Sequence, residues 1–267
     1  MAGKIITISS VKGGVGKTTT ALNIGAGLAK VGKRVLLIDS DQQQTLSRWL
    51  GFSPDNKPTL CELIFQEVYG VQTSEYQDFI RRNEHEKIDY IPTTEKLAGI
   101  VAILGQSDDS LNILNRVLRH SFFEENYDYI IIDCQPSITL VVSNVLKCAD
   151  KVLIPVQADE PAYSGVKKLL EKISQIKGDL DISKYILGIL LTMDKRGTKV
   201  SKIIKDMLNN QYSDFLFKNS IPDRVEAKAE IKGNVLTPCR ESLINKSKSE
   251  IGSIYMNIVN EIIERCE

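Results

Sequence analysis

Lys12-Gly13-Gly14-Val15-Gly16-Lys17-Thr18-Thr19 lies between the β-branched run Ile5-Ile6-Thr7-Ile8 and the segment Ala21-Leu22-Asn23-Ile24-Gly25-Ala26-Gly27-Leu28-Ala29, which reads as a helix. Strand, glycine-rich turn and helix in that order form the context that a phosphate-binding loop requires. The glycines let the backbone curl until its N–H groups converge on phosphate oxygens. Lys17 is placed to reach the outer phosphates, and the Thr18 hydroxyl to hold Mg²⁺. A tight turn with an incidental lysine is the plain alternative. The joint presence of strand, loop, Gly-Lys-Thr and helix argues against it.

The surrounding chain has 267 residues, enough for one large α/β domain or two small ones. With 42% hydrophobic and 25% charged residues it has ample material for a core. Lys+Arg and Asp+Glu balance at 34 each, so any basic patch must be local. Five cysteines (Cys61, Cys134, Cys148, Cys239, Cys266) without a C-x-x-C pair point to reduced thiols, and away from disulfides or zinc. No signal peptide opens the chain and no apolar stretch has membrane-spanning length, so a cytoplasmic protein is expected.

Strands are expected near 4–9, 34–39, 87–91, 128–133, 151–156, 185–192 and 215–219, most of them continuous apolar runs suited to a parallel sheet covered on both faces. Helical patterns fall between them, with four at 59–67, 74–83, 94–105 and 109–124 in a region that carries no chemical motif. The alternation predicts an α/β protein: a single doubly wound, mostly parallel sheet flanked by helices, in one domain spanning 1–267.

Two further motifs sit at strand ends. After Val35-Leu36-Leu37-Ile38, Asp39-Ser40-Asp41 places two carboxylates at the carboxyl edge of a parallel strand, where ligands bind. Asp41 can orient an attacking water while Asp39 supports the metal shell or the loop; an Asx turn is the structural alternative. Tyr129-Ile130-Ile131-Ile132-Asp133 is a buried strand delivering one carboxylate to Mg²⁺, which needs few protein ligands because it keeps its waters. In Thr198–Asn209, Val200, Ile203, Ile204, Met207 and Leu208 form one apolar stripe, with Lys199, Lys202 and Lys205 opposite. Residues 195–248 hold 12 Lys/Arg against six Asp/Glu, a local +6. Such clustering suits phosphate-backbone binding, and equally a solvated helix face.

Val11 stands where the usual phosphate loop has its first glycine, and Lys12 precedes the glycine pair. This K-G-G-x-G-K-[ST] form resembles the deviant Walker A box of the ParA/MinD ATPases. The chain resembles their small form, without an amino-terminal helix-turn-helix. The resemblance implies ATP and Mg²⁺ as cofactors, with Lys12 through Thr19 holding phosphates and Thr18, Asp41 and Asp133 at the metal. It also implies a sandwich dimer formed on ATP binding, in which Lys12 reaches the partner's nucleotide. Lys12, Lys17 and Asp41 are then the catalytic residues, and Pro222 contacts adenine. The family's D-x-D-P-Q and D-x-P-P-S segments are altered here by Gln42 and by Gln135, which implies a less rigid first switch and a working second switch of altered flexibility. Gln157 through Gly165 resembles a segment near the family's dimer face. Arg196, Lys199, Lys202 and Arg224 are carried over as contacts to non-specific DNA, with Lys228 and Lys232 as neighbours.

A ParB-like partner would stimulate hydrolysis and reset the cycle, giving a DNA partition ATPase in the cytoplasm that joins the nucleoid when ATP-bound. The alternatives are a MinD-like spatial regulator of a protein or membrane cargo, and a nucleotide-gated adaptor with little turnover. The acidic finish of the helix near 249–264 speaks for packing on the domain and against a membrane anchor. An iron–sulfur cluster, as in the related nitrogenase iron protein, does not match the spacing of Cys134 and Cys148.

Overall fold

The computed structural model describes residues 3–158, 161–195, 198–223 and 240–267. Arg196, Arg224, Lys228 and Lys232, expected to contact DNA, lie outside these described residues, as do Asp159 and Glu160.

Seven strands make one sheet: β1 (Lys4–Ile8), β2 (Val35–Ser40), β3 (Arg81–Asn83), β4 (Ile88–Ile91), β5 (Tyr129–Cys134), β6 (Lys151–Gln157) and β7 (Ile186–Thr192). The order is β3-β4-β2-β5-β1-β6-β7, parallel except for β3. The helices are α1 (Lys17–Lys30), α2 (Thr45–Trp49), α3 (Leu60–Tyr69), α4 (Leu97–Leu104), α5 (Ile113–Leu118), α6 (Ser121–Asn126), α7 (Leu140–Cys148), α8 (Pro161–Lys177), α9 (Lys199–Tyr212) and α10 (Glu250–Cys266). The central strands are apolar without alternation because helices cover both faces. One face buries Ile5, Leu36, Ile130 and Ile132 against α3, α4, α5, α7 and α8. The other buries Ile6, Ile8, Leu37 and Ile131 against α1 and α10.

Helix α1 lies close to its neighbours because it carries glycine where they press. A Cβ on Gly25 would stand 2.8 Å from Leu37, and one on Gly27 2.6 Å from Val259. Polar ties then fix the chain's two ends together. Thr20 and Tyr255 share a buried hydrogen bond of 3.2 Å, and Asn23 Oδ1 accepts from the Leu243 backbone N–H at 2.7 Å. Ile251, Tyr255, Ile258, Val259 and Ile262 of α10 are all buried in the core.

Three expected elements came out differently. The segment 74–83 is a 3₁₀ turn (Tyr76–Phe79) followed by edge strand β3, which pairs antiparallel with β4. The expected helix 109–124 divides at His120, whose ring accepts from the Phe122 N–H and starts α6. The expected strand 215–219 makes only a single bridge, Ile189 to Leu216. Beyond it the Lys218 N–H goes to the Glu261 carboxylate, and Arg265 takes the Phe215 and Leu216 carbonyls, so side chains of α10 stand in for a ladder.

Two glycine-to-alanine changes separate close packing from helix propensity. Gly252 of α10 packs so tightly that a Cβ would stand 2.1 Å from the Leu243 carbonyl oxygen, whereas exposed Gly99 of α4 has open space. Gly252→Ala is expected to destabilise the fold by about 1–3 kcal/mol. Gly99→Ala is expected to stabilise it by about 0.5–1 kcal/mol. Denaturant titration of the two variants reads the opposite signs directly.

Candidate functional site

The loop 9–16 joins β1 to α1 at the carboxyl edge of the sheet, with β5 and β6 on either side of β1. Gly14 and Gly16 take left-handed conformations (φ 74° and 83°) with open space where a Cβ would project. Gly16 is the N-cap of α1 and provides no side-chain cap. The first N–H groups of the helix therefore point into the loop, and the positive end of its dipole stays uncompensated, which suits an anion. Buried Val15 is held from behind by Thr192, whose hydroxyl donates to its carbonyl at 2.8 Å. Gly13 passes beside Pro136, and Gly165 of α8 packs on Val11.

The two lysines of the loop occupy different positions. Lys17 is buried, and its ammonium donates to the Lys12 carbonyl at 3.1 Å. Burial pushes its pKa down, opposed mainly by the Asp133 carboxylate. Half-buried Lys12 instead turns its ammonium to Gln157 Oε1 at the end of β6, 3.5 Å away.

Asp39 and Asp133 are register partners across β2 and β5. Asp39 is tied down: Oδ2 accepts from the N–H and hydroxyl of Ser47 at 2.8 and 2.7 Å, and Oδ1 from the Asp41 N–H at 3.1 Å. Burial still lifts its pKa to about 6. It supports the loop, one of the two roles expected of it. Asp41 is half-exposed and accepts from the Gln43 N–H at 2.9 Å. The Asx turn therefore forms at the same residue that was expected to orient water. Gln44, left-handed at φ 56°, then starts α2. The turn is closed by a Gln44 N–H to Asp41 carbonyl bond of 2.8 Å in place of a proline. In the second switch Gln135 donates to the Thr139 hydroxyl at 2.6 Å, and Thr139 caps α7.

Asp133 is buried, and neither of its carboxylate oxygens has a hydrogen-bond partner among the described residues. Burial, with Asp39 adding, raises its pKa well above the carboxylate range, while Thr18 and Lys17 pull it back. A buried carboxylate with unfilled lone pairs beside a phosphate loop and a threonine hydroxyl fits a Mg²⁺ ligand set of Thr18 and Asp133. Such an ion supplies the positive charge that this cluster of three carboxylates lacks.

Pro222, expected to contact adenine, lies beside Gly16, Thr19, Met193 and Tyr255 in a small cleft against the loop. The sequence reading named neither Thr192 nor Tyr255 as part of this neighbourhood. They stand 177 and 235 residues from the residues they bond, Val15 of the loop and Thr20 of α1, and no local motif marks them. On α9, Lys199 and Lys202 are exposed as expected, but Lys205 is not part of a free basic face. It pairs with buried Asp194 at 2.5 Å. The expected apolar stripe also divides: Ile204 and Leu208 are buried, while Ile203 and Met207 are 57% and 44% exposed.

Fold and loop together define a P-loop nucleotide hydrolase. A family model described as an AAA domain matches residues 3–186. The chain is 34% identical over 261 residues to the sporulation initiation inhibitor protein Soj of Bacillus subtilis, covering 97% of this chain and 98% of that one. It is 31% identical over 265 residues to the chromosome partitioning protein ParA of Caulobacter vibrioides, covering 98% and 94%. Among solved structures, a cobyrinic acid a,c-diamide synthase from Mycobacterium smegmatis with bound ATP analogue and magnesium gives a TM-score of 0.75. Its identity is 26%, with 99% of this chain and 96% of that one covered. The chain belongs to the Soj/ParA family of P-loop ATPases.

Asp133→Asn removes the buried charge while keeping its shape. Without nucleotide the variant is expected to be more stable than the parent by about 1 kcal/mol at neutral pH, because an orphaned carboxylate is costlier to bury than an amide. Its Mg²⁺-dependent phosphate release is expected to fall by about 10–100-fold or more. Thermal melts and a phosphate-release assay measure the two effects separately.

Proposed function

We propose that this chain is a DNA partition ATPase whose two subunits close on Mg²⁺ and ATP. The observation that carries the reading is the division of labour between the loop's lysines. Lys17 is buried inside its own loop, whereas Lys12 points out of it toward the end of β6. A lysine held outside its own phosphate cradle is suited to reach a nucleotide held by a second copy.

In this reading the N–H groups from Gly13 to Thr19 and the Lys17 ammonium bind and orient the phosphates. Thr18 and Asp133 hold the metal, which neutralises charge on the phosphate oxygens. Asp41 accepts a hydrogen bond from, and so orients, the water that attacks the terminal phosphate. Asp39 keeps Asp41 in place through its backbone N–H. Closure excludes water other than the nucleophile, which strengthens these contacts. Breaking the terminal phosphate bond removes the group that both subunits share, so the dimer loosens.

The closed dimer binds DNA without sequence preference through Lys199, Lys202, Arg196 and Arg224. A ParB-like protein at a centromere-like site then stimulates hydrolysis. The relatives' names, a chromosome partitioning protein among them, support this cargo. Packing supports a DNA-directed role over a membrane-directed one, since the apolar side of α10 is spent inside the core. No helix among the described residues is long and apolar enough to cross a membrane.

Lys12→Ala is expected to leave ATP binding by the monomer intact and to abolish the ATP-dependent dimer. Sedimentation velocity with and without nucleotide tests this, and an unchanged dimer refutes the sandwich. Lys199→Glu with Lys202→Glu is expected to keep ATPase activity. The pair should weaken DNA binding at every sequence and lower the slope of log affinity against log salt by about 2. An unaltered slope returns α9 to an ordinary solvated surface.

A further inference from the structure

At the edge of the sheet opposite the phosphate loop, where β1 and β6 begin, lies a hollow of about 520 Å³. Six cationic side chains line it and only one carboxylate, Asp150. They arrive from separate parts of the chain: Lys4 opens β1, Lys151 opens β6, Lys147 ends α7, Lys177 ends α8, and Arg119 and Lys184 flank them.

The local charges do not cancel. Asp150 is committed to Arg119 at 2.6 Å and to the Ile5 N–H at 2.8 Å. Lys184 pairs with Asp179 at 2.6 Å. Lys177 donates to the carbonyls of Lys147 and Ala149, and Lys147 to that of Ile176, which are neutral acceptors. Lys4 and Lys151 have no carboxylate partner among the described residues. Four positive charges, on Lys4, Lys147, Lys151 and Lys177, therefore line one cavity with no ion-pair partner of their own among the described residues, Asp150 being engaged by Arg119. Burial pushes the Lys177 ammonium down to about 8, opposed by Cys148 and Asp150 and assisted more weakly by Lys147 and Arg119. Capping the carboxyl ends of α7 and α8 accounts for Lys177 and Lys147, and leaves Lys4 and Lys151 unexplained.

We propose that this hollow is a second anion site, separate from the phosphate loop, that takes a compact chain of linked phosphates. Ammonium groups are point-charge donors suited to phosphate oxygens. Four of them lining one concavity, two held on helix-end carbonyls and two without such a tie, match three or four closely spaced negative charges. Duplex DNA asks instead for cations strung along a face, one for each phosphate met. The Tyr185 ring, flanked by the Lys177 and Lys184 ammoniums at 4.7 and 5.2 Å, forms one wall and holds both in place. The site stands independently of the partition reading, since none of its residues belongs to the nucleotide loop or its switches.

Inorganic tripolyphosphate is the probe, titrated calorimetrically into the full chain carrying Lys17→Ala so that the phosphate loop does not compete. One equivalent is expected to bind, more weakly as salt rises. Adding Lys4→Glu and Lys151→Glu is expected to weaken it at least about tenfold, what a single charge-assisted contact contributes. Lys4→Gln with Lys151→Gln gives the milder version of the same loss if the charge-reversed chain melts early. No binding, or binding indifferent to both pairs of changes, overturns the proposal. Binding of a short duplex but not of tripolyphosphate, sensitive to the same changes, also overturns it and makes this edge a DNA surface.

Discussion

Everything at the working edge of this protein depends on a charge imbalance that its parallel sheet creates and cannot relieve. Strands β2 and β5 are buried on both faces, so their first polar side chains appear together where the strands end. Asp39, Asp41 and Asp133 arrive there with a single buried ammonium, that of Lys17. Asp39 is satisfied by Ser47, but neither oxygen of Asp133 has a hydrogen bond of good geometry among the described residues, and only the nearby Thr18 hydroxyl and Lys17 ammonium favour its charge. The loop above them has the opposite lack, with helix N–H groups and no cap. A phosphate with its metal answers both needs at once, negative charge to the loop and positive charge to the carboxylates.

The rest of the architecture can be understood as holding those two halves in register. Glycines let α1 settle onto Leu37 and against α10. Thr192 holds Val15 from β7, two strands away from β1, and Asp39 passes from β2 to Ser47 of α2. Ser47 in turn accepts from the Thr93 N–H, so the first switch is tied to the end of β4. These are short, buried contacts to backbone atoms, the kind that set a position firmly while contributing modestly to net stability.

The sequence made much of this legible because the relevant signals are local. A glycine-lysine-threonine loop between strand and helix, and an aspartate after each of two apolar runs, can each be read within ten residues. The parallel strands announced themselves by unbroken isoleucine, leucine and valine. What was lost is non-local. No window around 74–83 shows that Arg81–Asn83 will find β4, and no window around 215–219 shows that Glu261 and Arg265 will take its backbone groups. Periodicity on α9 gave the helix correctly but not its neighbours. Asp194 claims Lys205, and only half of the predicted apolar stripe meets the core. Thr192 and Tyr255 carry no motif of their own, and their place beside the loop follows from topology alone.

The bond between Thr20 and Tyr255 shows that the neighbourhood of the phosphate loop is only partly local. The wall beside Gly16 and Thr19 is completed by Tyr255, which lies 235 residues from the Thr20 it bonds. Contacts of such long sequence separation carry a loop-closure cost that the strand, loop and helix of the motif do not. The cradle for phosphate is therefore built from neighbours in the chain, while the cleft beside it exists only with α10 docked.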